Sequence, residues 1–120
     1  MIYLASPYSH PEPSVRDARY FEACRATAKL VRNGHVVFTP IVLTHPLMQF
    51  GVPSDWSYWE RFDREHLCRC TELVVLMLDG WRESRGVQAE IDLAIEMDLP
   101  IRYLDAAWSA GASIAKEVTT

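Results

Sequence analysis

The chain has 120 residues, 49% of them apolar, and a formal net charge of −4 with only two lysines. That length suits a single domain, residues 1–120, with a real core. The acidic balance argues against nucleic acid polymers and anionic membranes as partners. No stretch approaches the roughly 18 apolar residues of a membrane span. The opening MIYLASPYSHP has neither a basic n-region nor the apolar run of a secretory signal, so a cytoplasmic protein is expected. Three cysteines, Cys24, Cys68 and Cys70, suit reduced thiols. Cys68-Arg69-Cys70 is half a metal-ligand pattern that nothing completes, so no metal is expected.

In chain order, IYLA (residues 2–5) reads as a buried strand that halts at the Pro-rich turn SPYSHPEP. Ser14 is placed to cap a helix, with Asp17 as its capping-box partner. Phe21, Cys24, Ala28 and Val31 form that helix's apolar stripe, and Gly34 ends it. HVVFTPIV (residues 35–42) reads as a second strand that leaves the sheet at Pro40. A loop containing Thr44, His45, Pro46, Gly51 and Pro53 follows, up to a second N-cap at Ser54. The segment 55–70 reads as a helix, and LVVLML (73–78) as a third strand. A loop from Asp79 leads to a helix capped by Ser84, and PIRYL (100–104) is a fourth strand. Residues 106–118 carry a weak signal for a last short helix.

This alternation predicts an α/β fold: a small doubly wound parallel sheet of flavodoxin or Rossmann type, helices on both faces, strand order 2-1-3-4. Ligands bind such sheets outside the carboxyl ends of the strands, where strand order reverses. Those ends are residues 6–10, 39–45 and 79–85.

Two helices break their own amphipathic pattern there. On the later one, Val87, Ile91, Leu93, Ala94, Ile95 and Met97 gather on one broad face, and Glu90 sits near its middle. On the earlier one, Trp56, Trp59, Leu67 and Cys70 form a stripe centred on Asp63. A buried carboxylate must find donors or take up a proton. Either acid alone is explained by hydrogen bonds to backbone N–H groups. Two inward acids flanking one strand point to a shared crevice and suit substitution at an anomeric carbon. One attacks, the other handles the leaving group's proton, and apolar neighbours separate their pKa values.

Tyr8, Trp56 and Trp59 are either plain core or flat surfaces for a base. Ser84 and Gly86 place the start of the Glu90 helix at the crevice, with N–H groups free for an anion or a sugar hydroxyl. Arg85 is either a phosphate ligand or simply solvated. His45 stands at the crevice edge, within reach of a ligand; His66 lies one turn from Asp63 and either hydrogen-bonds it or is partly exposed. There is no GxxxxGK[ST] loop, and no GxGxxG after the first strand, so neither ATP hydrolysis nor a dinucleotide cofactor is indicated.

IYLASPY, the spacing Asp63-x₃-Leu67-x₂-Cys70 before an apolar strand, and DGWRESRGVQAEIDLA together resemble the nucleoside 2-deoxyribosyltransferase superfamily, in particular a bacterial and phage branch of it. The resemblance covers residues 2–101. It implies a nucleoside or nucleoside 5′-monophosphate substrate, N-glycosidic cleavage or transfer, and no cofactor. Residue by residue, it implies Glu90 as the nucleophile at C1′, Asp63 as the acid that contacts the base or assists its departure, and Tyr3 as the tyrosine that positions the nucleophile. Ser84 stands where transferases carry a substrate-binding aspartate and monophosphate hydrolases a serine near the phosphate, which favours nucleotides and hydrolysis. Ser6-Pro7 replaces the glycine-rich turn usual after the first strand, so Ser6 enters the expected substrate contacts. The resemblance further implies a homo-oligomer. The competing expectation is a nucleotide-sensing module that keeps the pocket without the chemistry.

Overall fold

Residues 1–109 and 117–119 are described, in a computed structural model. Four parallel strands form the sheet in the order β2-β1-β3-β4: β1 (Ile2–Ala5), β2 (Val37–Phe38), β3 (Glu72–Met77) and β4 (Ile101–Asp105). Tyr3 lies beside Phe38 on one side and Leu73 on the other; Val75 lies beside Ala5 and Tyr103. A fifth strand, β5 (Glu117–Thr119), pairs antiparallel with β4 at the edge. The central strands are buried on both faces, and their side chains alternate between two cores. Tyr3, Ala5, Leu73 and Val75 pack with α3 (Trp56–Leu67) and α4 (Arg85–Glu96). Ile2, Leu4, Val74 and Leu76 pack with α1 (Pro13–Arg32) and with Trp108 of α5 (Ala106–Ser109). Helices therefore cover both faces of the sheet. No helix among the described residues is long and apolar enough to cross a membrane.

Several local readings are corrected. Helix α1 starts one residue before Ser14: Glu12 is the N-cap, Pro13 takes N1, and no side chain caps the end. Proline suits that position because its missing N–H would be unpaired there anyway. Asp17 instead meets His45 Nε2 at 3.3 Å. The buried face of α1 is Ala23, Ala26 and Leu30. Phe21 and Val31 are 58% and 54% exposed, and Ala28 faces solvent. Small alanines let the helix lie close on the sheet, a preference that a search for bulky apolar residues misses. Gly34 does end α1, in the left-handed region at φ +91°.

The second strand is only two residues long. Residues 40–48, read as strand end and loop, form α2 (Pro40–Met48), with Thr39 at the N-cap and Pro40 at N1. Helix α3 is capped at Asp55 rather than Ser54 and ends at Leu67. On α4, Ile95 is exposed and lies off the buried face. In the last segment only residues 106–109 are helical, 117–118 belong to β5, and 110–116 lie outside the described residues.

Candidate active site

The connection β1–α1–β2 runs to one side of β1, and the chain then crosses back to place β3 on the other. The reversal point is the carboxyl end of β1 and β3. A cleft of about 280 Å³ opens there. Ser6 and Tyr8 line it from the end of β1, Thr44 from α2, Trp56, Trp59 and Asp63 from α3, and Ser84, Arg85, Gly86 and Glu90 from α4. The two inward acids thus face one cavity.

Each wall is fixed by ordinary helix chemistry. Ser84 caps α4, its hydroxyl accepting from the Val87 N–H at 3.2 Å. Glu90, two turns further along the helix, points inward at 4% exposure. On α3 the stripe Trp59, Asp63, Leu67 repeats every four residues, so the contacts that bury Trp59 and Leu67 also turn Asp63 inward, at 5% exposure. The Trp59 indole N–H donates to the Pro53 carbonyl at 2.6 Å, pinning the loop that leads into α3.

Tyr3 completes the acid pair from beneath. It is fully buried in the middle of β1, and its hydroxyl donates to Glu90 Oε2. Burial raises the Glu90 carboxyl well above its ordinary range; the nearby Asp63 charge adds to this, and the Tyr3 hydrogen bond opposes it. Burial also pushes Asp63 up to about 7, against hydrogen bonding with Glu90 and Tyr3. Tyr3 itself is raised, by burial first and by Glu90 second, so it remains a donor. The two carboxyls titrate as a coupled pair. The Tyr3 hydroxyl donates to Glu90 Oε2 and favours its carboxylate form, while Asp63 Oδ1 is buried with no hydrogen-bond partner.

Not every expected contact falls at this cleft. His45 is absent from its lining and sits in an adjoining hollow of about 500 Å³. Its Nδ1 is 2.6 Å from the Tyr8 hydroxyl, its Nε2 faces Asp17, and its ring stacks on Tyr20 at 4.2 Å. His45 therefore orients Tyr8 and reaches the cleft only through it. His66 does not bond Asp63: its Nδ1 meets the Phe62 carbonyl at 2.9 Å, and its ring stacks on Phe38 at 4.1 Å.

Thr44, expected in a loop at the ligand-binding edge, is instead buried in α2 and lines the cleft from there. Thr39-Pro40, an N-cap residue followed by proline at N1, was the available signal for that helix. Glu83 and Asp55, also on the lining, add acidic character near the mouth, where Arg85 is the cation. Among the described residues, no cluster of three or more His, Cys, Asp or Glu side chains is arranged to hold a metal ion.

No curated protein matches the chain. A match to the family described as a domain of unknown function, DUF1937, extends over residues 1–105. It takes in the four parallel strands and the whole lining of the cleft. The chain belongs to the DUF1937 family.

Proposed function

We propose that the cleft cleaves or transfers at the N-glycosidic bond of a nucleoside or nucleoside 5′-monophosphate. The observation that carries this reading is the acid pair: Glu90, held by Tyr3, and Asp63, both buried on the walls of one cavity. Two carboxyls facing one cavity suit an anomeric displacement, and the Tyr3 hydrogen bond favours the carboxylate form of Glu90.

A Glu90 carboxylate oxygen attacks C1′ as the C1′–N bond breaks. The departing base takes the bonding electron pair and a proton from Asp63. The glycosyl ester on Glu90 is then opened by water, whose proton passes to the Asp63 carboxylate, or by the nitrogen of a second base. Tyr3 stabilises the Glu90 carboxylate at the start and the end of the cycle. The Trp56 and Trp59 rings offer apolar walls for a base. Arg85, with the N–H groups at the start of α4, suits a 5′-phosphate at the mouth. The family resemblance adds a homo-oligomer whose neighbouring subunit closes the cleft; sedimentation of the purified chain tests the assembly.

The reading is tested by chromatography for free base after incubating the chain with each common nucleoside and its 5′-monophosphate, with and without a chelator. Release that survives the chelator and disappears in Glu90→Ala is expected. Release only after a second base is added identifies a transferase. A nucleotide that raises the melting temperature while its glycosidic bond stays intact overturns the catalytic reading in favour of a sensing module.

A further inference from the structure

Ser6 is a buried residue of the cleft lining. It follows the last residue of β1, three positions after Tyr3, and is 7% exposed. Its hydroxyl is buried without a hydrogen-bond partner, and the residue lines the same cavity as Glu90 and Asp63. A buried hydroxyl without a partner is unfavourable, and folded proteins keep few of them. The next residue, Pro7, has no N–H, so the backbone offers no donor there in place of the serine. A ligand group is the natural partner.

The surroundings define that group. The buried acids Asp63 and Glu90 line the same cavity as Ser6, whereas Asp55 and Glu83 are exposed residues of its lining. The lining's cation, Arg85, is exposed at the mouth. A phosphate is therefore disfavoured beside Ser6, whereas a neutral hydroxyl can both donate to the serine and accept from it. Near a carboxylate that attacks C1′, the closest sugar hydroxyl is the one on the adjoining carbon, C2′.

We propose that Ser6 is the specificity-determining residue of the cleft: its hydroxyl recognises the 2′-hydroxyl of ribose, and the substrate class is ribonucleosides or ribonucleotides rather than their 2′-deoxy forms. This rests on the glycosidic reading of the site, since that reading places C1′ at Glu90. A 2′-deoxy ligand leaves Ser6 Oγ buried and unpaired, so discrimination arises from the polar group left without a partner.

The test is calorimetric titration of the full chain carrying Glu90→Gln, which blocks turnover and keeps the side-chain volume. The ligands are the four common ribonucleoside 5′-monophosphates and their 2′-deoxy counterparts. Base release by the chain with Glu90 intact is followed in parallel. For at least one base, the ribo form is expected to bind about tenfold tighter or more. Adding Ser6→Ala is expected to bring the two forms within about twofold by weakening only the ribo form, with the melting temperature unchanged or raised. Equal or tighter binding of the deoxy forms, a preference that survives Ser6→Ala, or no binding across the panel overturns the assignment. The two readings fail separately. Ribose preference that depends on Ser6 without base release sinks the glycosidic chemistry alone, whereas base release without ribose preference sinks the role of Ser6 alone.

Discussion

Arg19 occupies the space that a side chain at Gly80 would need: a Cβ there would lie 2.5 Å from Arg19 Nη2. From α1, the guanidinium donates to the Asp79 carbonyl at 3.1 Å and to the Ser9 carbonyl at 3.0 Å. One side chain thus ties the loop after β1 to the loop after β3, and both loops serve the cleft. Gly80 also sits at φ +88°, a conformation that L side chains rarely adopt. Gly80→Ala should cost about 1–2 kcal/mol of stability, part from backbone strain and part from the displaced arginine. A double-mutant cycle with Arg19→Ala separates the two. In the Arg19→Ala background only the strain should remain; equal costs in both backgrounds would show that Arg19 simply swings aside.

Tyr3→Phe removes the donor to Glu90 while keeping the ring that packs 5.4 Å from Phe38. The Tyr3 hydrogen bond lowers the Glu90 pKa, so without it the carboxyl holds its proton to higher pH. If Glu90 is the nucleophile, turnover at pH 7 should fall by about 10–100-fold, and the acid limb of the pH–rate profile should move upward. Partial recovery of the rate at higher pH marks a change in ionisation. A uniform loss at every pH would mean that Tyr3 acts only by positioning. Stability should drop by about 1 kcal/mol, the ordinary cost of one buried hydrogen bond.

Ser84→Ala tests the other support of Glu90. The hydroxyl accepts from the Val87 N–H in the first turn of α4, and its loss should cost about 1 kcal/mol. Ser84→Asp preserves the acceptor and should restore the stability. It also places a negative charge at the cleft mouth, so it should weaken binding of 5′-monophosphates while sparing nucleosides. Equal effects on both ligand types would place the phosphate away from α4.

The sheet and its acids were legible in the sequence because each leaves a periodic trace. The apolar runs around Leu4 and Val75 announce strands buried on both faces, and the helical periods of α3 and α4 make Asp63 and Glu90 stand out as charges in apolar positions. What escaped was held by features without period. The buried face of α1 rests on Ala23 and Ala26, which count little on any hydrophobic wheel. Helix α2 carries prolines at both its start and its interior, so it reads as a loop. The link from Arg19 to Asp79 spans 60 positions, and the missing partner of Ser6 exists only once the fold has closed around it. Long-range polar contacts of this kind follow from tertiary structure and leave no local signature.

Asp63→Asn joins stability and function at one position. In the unfolded chain the carboxyl titrates near its ordinary 3.8; in the folded protein it is raised to about 7, chiefly by burial. Between about pH 4 and pH 7 the unfolded state has therefore lost a proton that the native state keeps. Stability falls as pH rises through that window and levels off above it. Asparagine does not titrate, and removing the Asp63 charge also removes one of the influences that raise Glu90. Relative to the parent chain, Asp63→Asn should gain stability from about pH 4 to about pH 7 and keep that gain at higher pH, by a few kcal/mol in order of magnitude. Denaturant midpoints at several pH values measure this difference; parallel curves for the two proteins would show that Asp63 is not raised. The same substitution removes the acid offered to the departing base, so turnover should fall by about 10²–10⁴-fold. A substrate whose leaving base needs no proton should lose much less, which separates acid catalysis by Asp63 from simple contact with the base.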